Sequence, residues 1–161
     1  MSLITDAYSR KIVGFYLSKT LEATGSIRAL KMALQNNKVE QNNLIHHSDR
    51  GVQYCCNAYV EILNNKRIKI SMTENGDPLE NAIAERVNGI LKDELLEDLY
   101  KDFESAQSGV AKAISVYNHL RPHSSISYKT PIELHNTNKP VQRKWKNYYI
   151  KKELLNVGIN Q

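Results

Sequence analysis

Asp49 and Glu85 are carboxylates whose positions in the sequence suit metal-dependent chemistry. Asp49 follows the short apolar segment 44–47, and Gly51 after it permits a tight turn into the next element. In open α/β sheets, ligands bind beyond the carboxyl ends of the strands, which is where Asp49 is expected to lie. With 35 residues between Asp49 and Glu85, there is enough chain for a helix, a strand and a turn that return Glu85 to Asp49.

Two carboxylates held close together can bind hard divalent cations, because these ions prefer oxygen ligands. A pair of such ions activates a water or hydroxyl nucleophile and stabilises the leaving oxygen during in-line attack on phosphorus. Asp49 and Glu85 are therefore candidate metal ligands. The alternative is structural, since Asp49 or Ser48 could simply cap the helix that follows.

The segment around Glu85 divides into two faces when each residue advances the helix by about 100°. The residues that share the polar face with Glu85 are Asn81, Asn88 and Lys92. The residues expected to face the core are Ile83, Val87, Ile90 and Leu91. Lys92, two turns beyond Glu85, is placed to meet a phosphate. An ordinary amphipathic helix with a solvated face predicts the same pattern.

The elements that must position these side chains alternate between strands and helices. Two β-rich runs within residues 3–17 flank a polar turn and predict a hairpin. The apolar spacing then predicts, in order, a helix over 22–37, a strand over 44–47, a helix over 54–63 and a strand over 68–72. Such alternation implies parallel pairing and an α/β fold. After a turn signal at 75–78, two long helices are predicted over 79–96 and 104–120.

The excess positive charge lies late in the chain. Lysine and arginine number 22 against 17 aspartates and glutamates, a formal net charge of +5. Residues 139–152 contain no acidic residue, and their cations include Arg143, Lys144 and Lys146. This segment suits a polyanion, because every neutralised phosphate releases condensed counterions. A solvated basic tail predicts the same composition.

Cysteine usage and hydropathy narrow the class of protein further. Cys55 and Cys56 are adjacent, so they cannot form an ordinary framework of loop-closing disulfides. No apolar run approaches the roughly 18 residues that a membrane span requires, and the start of the chain shows no secretory pattern. We expect a soluble cytoplasmic protein without a membrane partner.

Several ordered motifs resemble the integrase catalytic core of bacterial insertion-sequence transposases. The first motif comprises His46, Ser48, Asp49, Arg50, Gly51, Gln53 and Tyr54. The second comprises Asn81, Ala82, Ala84 and Glu85, with Lys92 and Glu94. The third comprises Tyr117, Asn118, Arg121, Pro122, His123, Ser124, Thr130 and Pro131. The resemblance covers residues 3–134 and implies an RNase H-like fold, a mixed sheet flanked by helices.

The resemblance also implies a catalytic triad of two aspartates and one glutamate that binds Mg²⁺ or Mn²⁺. Carried over residue by residue, Asp49 matches the second aspartate and Glu85 matches the glutamate. The first aspartate of the family lies on a strand upstream of the hairpin, and we expect this strand to be missing here. Asp6 is expected to form the hairpin turn through its short side chain rather than to replace the missing ligand.

The expected domain organisation follows from these matches. Residues 1–135 are predicted to form the integrase core, truncated at its N terminus, and residues 136–161 a basic C-terminal tail. Without its first strand the sheet loses ladder hydrogen bonds and buried apolar area, while small domains have only about 5–15 kcal/mol of stability in reserve. We therefore expect low stability.

The function implied by the resemblance is metal-dependent DNA cleavage and strand transfer during transposition. Double-stranded DNA is the expected partner, together with a second copy or another transposase chain, at the bacterial nucleoid. The residues expected to contact the DNA are Asn81, Lys92, Arg143, Lys144 and Lys146. The alternative function is that of an inactive truncated transposase that binds DNA or a transposase partner. A third hypothesis is an RNase H-like nuclease acting on RNA or a junction, which the motifs over 118–131 disfavour.

Overall fold

The structure of the protein is a computed structural model that describes residues 1–35, 44–73 and 81–137. Its first half contains β1 (Ser2–Thr5), β2 (Ile12–Tyr16), α1 (Ala23–Gln35), β3 (Ile45–Ser48), α2 (Val52–Cys55), α3 (Asn57–Asn65) and β4 (Lys69–Met72). The later helices are α4 (Ala82–Ile90), α5 (Phe103–His119) and α6 (Pro131–His135). No helix within the described residues is long and apolar enough to cross a membrane.

The described strands form two separate pairs. β1 and β2 make the predicted antiparallel hairpin, with an irregularity between Ile4 and Thr5. β3 and β4 run parallel, with Ile45 opposite Lys69, which confirms the predicted parallel pairing and the α/β class. Within the described residues, no backbone hydrogen bond joins one pair to the other.

The carboxylate of Asp6 holds the turn between β1 and β2. Its Oδ1 accepts from the backbone N–H of Tyr8 at 3.1 Å. Its Oδ2 accepts from the backbone N–H of Ser9 at 3.2 Å and from the Ser9 hydroxyl at 2.5 Å. The Asp6 N–H donates to the carbonyl of Lys11 at 2.8 Å and closes the turn. The predicted role of Asp6 in turn formation is confirmed.

The helix predicted over residues 54–63 is interrupted at Cys56, which is a correction. Cys56 adopts an extended backbone with φ −69 and ψ 145, so α2 ends before it and α3 begins after it. The carbonyl of Cys56 accepts from the N–H groups of Tyr59 and Val60 and so starts α3. The break lets the Tyr54 and Tyr59 rings pack edge to face, with centroids 5.5 Å apart. Apolar spacing cannot detect such a break, because both helices bury the same kind of face.

Helix α4 continues into a π-helical turn over Leu91–Leu95 and ends where Leu96 becomes extended. The predicted core residues of this helix are buried, with one exception: Val87, Ile90 and Leu91 are 2%, 4% and 0% exposed. Ile83 is 36% exposed, because it lines a cavity rather than the core. Residues 79 and 80, the predicted start of the helix, lie outside the described residues.

The buried apolar side chains form two clusters rather than one core. The first cluster joins the hairpin to the later helices and consists of Ile12, Val87, Ile90, Leu91, Val110, Ala113, Ile114 and Tyr117. The second joins α1 and α3 to the start of β4 and consists of Leu30, Tyr59, Leu63 and Ile68. Each strand pair is thus packed against helices, as two-stranded sheets require, and α1 contributes to the second cluster while it also packs on the hairpin.

Asn118 of α5 completes the outer edge of β2. Its Oδ1 accepts from the N–H of Ile12 at 2.9 Å, and its Nδ2 donates to the carbonyl of Ile12 at 3.0 Å. Both residues are buried, at 6% and 3% exposure. The side-chain amide therefore takes the place of a neighbouring strand at an edge that would otherwise carry unpaired backbone groups.

Replacing Asn118 with alanine should loosen the hairpin, because two buried backbone groups of Ile12 lose their partners at about 1–3 kcal/mol each. We expect amide hydrogen exchange at Ile12 to accelerate at least about tenfold, which corresponds to 1.4 kcal/mol. The matched control is Asn64→Ala at the exposed end of α3, which should leave exchange at Ile12 unchanged. Equal acceleration in both variants would show that the Asn118 amide does not support the strand edge.

Candidate active site

Asp49 lies directly after β3, at the carboxyl end of the strand, and its side chain is exposed. Its Oδ1 accepts from the backbone N–H of Gly51 at 2.9 Å, and the hydroxyl of Ser48 is buried without a partner among the described residues. No side chain caps α2, whose N-cap is Gly51 itself. Helix capping therefore does not account for Ser48, and Asp49 supports only the turn before the helix.

Gly51 provides space for the Asp49 carboxylate rather than unusual backbone freedom. Its φ of −58 and ψ of 138 are open to any residue, which corrects the expectation that the turn itself needs glycine. A Cβ at this position would lie 2.8 Å from Oδ1 of Asp49 and 2.9 Å from Cδ of Gln53. A larger residue would therefore displace the carboxylate.

Glu85 lies in the first turn of α4 with its side chain exposed. It shares a shallow concave surface with Asn88, Gly89, Lys92 and Met1. The predicted polar face that unites Glu85, Asn88 and Lys92 is thus present. Among the described residues, no hydrogen bond or ion pair engages the Glu85 carboxylate.

A cavity of about 880 Å³ lies between the two strand pairs, and we refer to it as the inter-sheet cavity. It is lined by β1, β3 and parts of α1, α4 and α5, and Asp49 and Asn81 are among its lining residues. Met1 and Asn88 line both this cavity and the concave surface of Glu85. Asp49 with Asn81 and Glu85 with Lys92 therefore lie at adjoining depressions.

Asp49 and Glu85 provide the oxygen donors that a divalent cation prefers. They are two carboxylates, whereas the triad implied by the resemblance has three. Carboxylate oxygens are the ligands that Mg²⁺ and Mn²⁺ prefer. Among the described residues, no group of three or more histidine, cysteine, aspartate and glutamate side chains is placed to hold a metal ion. Asp49 and Glu85 would need a further carboxylate to complete the set that the sequence resemblance implies.

The Asp6 carboxylate is engaged in structural hydrogen bonds. Burial raises the pKa of Asp6, but hydrogen bonds from Ser9, Tyr8 and His135 outweigh it and hold the pKa below the ordinary 3.8. His135 Nδ1 lies 3.1 Å from Oδ2 of Asp6 and 3.2 Å from the Ser9 hydroxyl. The cluster ties the hairpin turn to α6.

An ion pair fixes the end of the helix that carries Glu85 and Lys92. Arg121, which follows α5, donates from two nitrogens to the two carboxylate oxygens of Glu94, each at 2.7 Å. The hydrogen bond from Arg121 is the main cause that lowers the pKa of Glu94. Both residues stand in the motifs, yet sequence analysis missed their pairing, because 27 positions separate them and no spacing rule links them.

Comparison with known proteins identifies the family. Two family profiles described as integrase core domain match residues 1–78 and 66–131. Over 132 residues the chain is 36% identical to a 31 kDa protein of insertion element IS600 from Shigella sonnei, covering 80% of the chain and 47% of that protein. Together the profiles cover residues 1–131, and the chain belongs to the integrase core family.

This integrase core is also 33% identical over 128 residues to the transposase for insertion sequence element IS904 from Lactococcus lactis, covering 78% of the chain and 50% of that protein. The chain thus spans about half the length of the curated relatives it matches. The catalytic core of HTLV-2 integrase in complex with magnesium matches with a TM-score of 0.58 at 20% identity, covering 82% of this chain and 81% of that one. At this identity the match shows the fold, and the predicted RNase H-like class is confirmed.

His123 of this integrase core orders the segment after α5. It is 7% exposed, and its ring packs edge to face on Tyr117 with centroids 4.7 Å apart. Its backbone N–H donates to the carbonyl of Lys129 at 3.0 Å. Burial, followed by the nearby Arg121 guanidinium, lowers the pKa of His123 from 6.5 to about 4.

The stability of the protein should therefore fall as the pH is lowered from about 6.5 to about 4. In this window the unfolded chain binds a proton at His123 that the folded chain excludes, so the free energy of unfolding rises with pH. Urea titrations between pH 4 and 7 give the free energy of unfolding at each pH. The slope of this free energy against pH should be smaller in the His123→Gln variant. The slope should not vanish, because burial also lowers the pKa of His46.

The matched control for this measurement is His119→Gln at the exposed end of α5. It should retain the pH dependence of the parent protein. Identical slopes in the parent and the His123→Gln variant would rule out His123 as a source of acid sensitivity.

Proposed function

We propose that this chain carries two ligands of a transposase active site, Asp49 and Glu85, and takes part in metal-dependent cleavage and strand transfer of DNA. The observation that carries the proposal is their position at adjoining depressions within an integrase core, one after β3 and the other on α4. The relatives in Shigella sonnei and Lactococcus lactis belong to insertion elements. Because the chain spans about half of these relatives, the activity is proposed for the complete site and not for this chain alone.

Some of the described side chains would bind the metal ion, and others would contact the DNA. Asp49 and Glu85 would hold Mg²⁺ or Mn²⁺, which supplies activation of the nucleophile and stabilisation of the leaving oxygen. Lys92, on the same face as Glu85, would neutralise a phosphate. Asn81, which lines the inter-sheet cavity as Asp49 does, would position the DNA backbone. Magnesium in the HTLV-2 integrase core, solved in trimeric and dimeric forms, agrees with this choice of ion and with an oligomeric assembly.

A second candidate function is that of an inactive transposase fragment that binds DNA or a transposase partner. It is supported by the absence of a third carboxylate beside Asp49 and Glu85 among the described residues, since two acidic side chains alone provide a weak site for catalytic ions. The basic residues Arg143, Lys144 and Lys146 lie outside the described residues and remain predicted DNA contacts. In the first proposal the substrate is double-stranded DNA of the element ends and the target, and such a protein would act at the nucleoid in the bacterial cytoplasm.

Substituting Glu85 with glutamine should abolish manganese-dependent cleavage and strand joining in a version extended upstream to supply the third carboxylate. Glutamine keeps the size of the side chain but removes the charge that binds the ion. Binding to the same DNA carrying the element end should stay within about twofold, because glutamine does not alter the cationic contacts. Asp49→Asn is expected to behave in the same way.

The matched control is Glu61→Gln, an exposed glutamate on α3 away from both depressions. It should leave cleavage unchanged. Cleavage retained in Glu85→Gln would refute its assignment as a metal ligand. Cleavage by the unextended chain alone would refute the need for a third carboxylate and would favour the complete enzyme over the inactive fragment.

Neutralising the basic segment should weaken DNA binding and its dependence on salt. The triple variant of Arg143, Lys144 and Lys146 to glutamine should reduce the slope of log affinity against log salt by about 2–3, since each lost phosphate contact contributes about 0.9. The control is a triple variant in which the exposed Lys31, Lys66 and Lys112 are replaced by glutamine. DNA affinity is measured for both variants by fluorescence titration at several salt concentrations. An equal change of slope in both variants would indicate that the segment is an ordinary solvated tail.

A further inference from the structure

A side chain continues the hydrogen-bond ladder between β3 and β4 at its carboxyl end. The register ends with Ser48 opposite Met72, and the N–H of Thr73 then donates to the carbonyl of Ser48 at 3.1 Å. In a parallel ladder the next bond would run from the backbone N–H of residue 50 to the carbonyl of Thr73. The side chain of Arg50 makes this bond instead, with Nε donating to the carbonyl of Thr73 at 2.8 Å.

This bond fixes the Arg50 side chain at the carboxyl ends of both strands. Thr73 is only 3% exposed, so its carbonyl needs a partner within the protein, and Arg50 supplies it. Because the side chain serves the ladder, the backbone can leave the sheet after Asp49 and turn into α2 at Gly51. The guanidinium is therefore held next along the chain to the candidate ligand Asp49.

Most of the hydrogen-bonding capacity of Arg50 is not used by the protein. Nε–H is one of five N–H donors of a guanidinium, and the terminal nitrogens Nη1 and Nη2 have no hydrogen-bond partner within the described residues. Among residues 1–35, 44–73 and 81–137, the salt bridges are those of Arg121 with Glu94 and of His135 with Asp6. Arg50 thus presents a positive charge and a pair of donors that no described carboxylate neutralises.

We propose that Nη1 and Nη2 of Arg50 bind one phosphate of the DNA backbone beside Asp49. This role rests on the proposed function, which brings DNA to the carboxyl ends of the strands, where ligands bind in open α/β sheets. The planar edge of a guanidinium matches two phosphate oxygens. Since Thr73 already holds Nε, the side chain loses little further freedom when the phosphate binds.

The position of Arg50 complements that of Lys92. Lys92 shares the concave surface of Glu85, whereas Arg50 follows Asp49 and lies outside the lining of the inter-sheet cavity. The carboxylates of Asp49 and Glu85 repel the DNA backbone, and a cation beside each of them offsets this repulsion. Arg50 and Lys92 therefore give the DNA one phosphate contact near each candidate metal ligand.

Arg50→Gln separates phosphate binding from the role of Arg50 in the sheet. Nε2 of glutamine lies as many bonds from Cα as Nε of arginine does, so it can still donate to the carbonyl of Thr73. Glutamine lacks the charge and the terminal nitrogens that would bind the phosphate. The matched control is Arg67→Gln, an exposed arginine that precedes β4 at the opposite end of the strand.

The test measures binding of this chain to a DNA duplex carrying the element end, by fluorescence titration in EDTA at several salt concentrations. Arg50→Gln should weaken binding about tenfold and lower the slope of log affinity against log salt by about 0.9, as one lost phosphate contact does. Its melting temperature should remain that of the parent protein. Arg67→Gln should change neither affinity nor slope. A lower melting temperature of Arg50→Gln with unchanged DNA binding would assign Arg50 to the sheet alone and overturn the proposal.

Duplexes in which a neutral methylphosphonate replaces a single phosphate show whether the contact is direct. In the parent protein, one such replacement near the cleavage position should weaken binding about tenfold. The same replacement should have no further effect in Arg50→Gln, because changes to two groups in contact are not additive. Additive effects at every phosphate position would overturn the direct contact.

Because EDTA removes divalent ions, the result does not depend on the assignment of the metal ligands. Loss of cleavage in Glu85→Gln together with unchanged DNA binding in Arg50→Gln would support the transposase function and overturn the role of Arg50. Weaker binding in Arg50→Gln together with retained cleavage in Glu85→Gln would support the phosphate contact and refute Glu85 as a metal ligand. Absence of DNA binding by the parent chain would overturn the proposed role of Arg50.

Discussion

The close approach of α1 to the hairpin is the contact on which the arrangement of the two candidate ligands depends. Gly14 of β2 makes it possible, because a Cβ there would lie 2.2 Å from the carbonyl oxygen of Ala29 in α1. Helix α1 packs on β1 and β2 and also contacts α2 and α3. Asp49 belongs to the half of the protein around β3 and α2, whereas Glu85 belongs to the half that packs on the hairpin. Among the described elements, α1 is therefore the main link between the halves that carry the two carboxylates.

The apolar core is divided between the two halves of the protein. The apolar residues form two clusters with a cavity between them, so the hydrophobic stabilisation of each half is largely its own. Hydrophobic stabilisation grows with buried area, and an empty cavity forfeits contacts on every wall. Catalytic ligands work best when their geometry is held by rigid neighbours.

Several residues of the third motif hold elements of the fold together. Asn118 closes the edge of β2, Arg121 ties the end of the Glu85 helix to the segment after α5, and His123 packs on Tyr117 in that segment. Ser9 and His135 complete the turn at Asp6. Their chemistry is that of buried and partly buried hydrogen bonds, which contribute because the alternative is an unpaired polar group. Of these contacts, the pair of Arg121 with Glu94 holds the end of the helix that carries Glu85.

Local patterns in the sequence determined the elements and their faces: the hairpin around Asp6, the parallel strands, and the helix that presents Glu85 and Lys92 together. Such features depend on neighbours within a few positions, so periodicity and turn residues reveal them. The RNase H-like class followed from the ordered motifs, and the comparisons confirmed it. Only the tertiary structure decided the break at Cys56, the exposure of Ile83, the pairing of Glu94 with Arg121 and the separation of the strand pairs by a cavity. Each of these depends on contacts between distant segments, which no local spacing encodes.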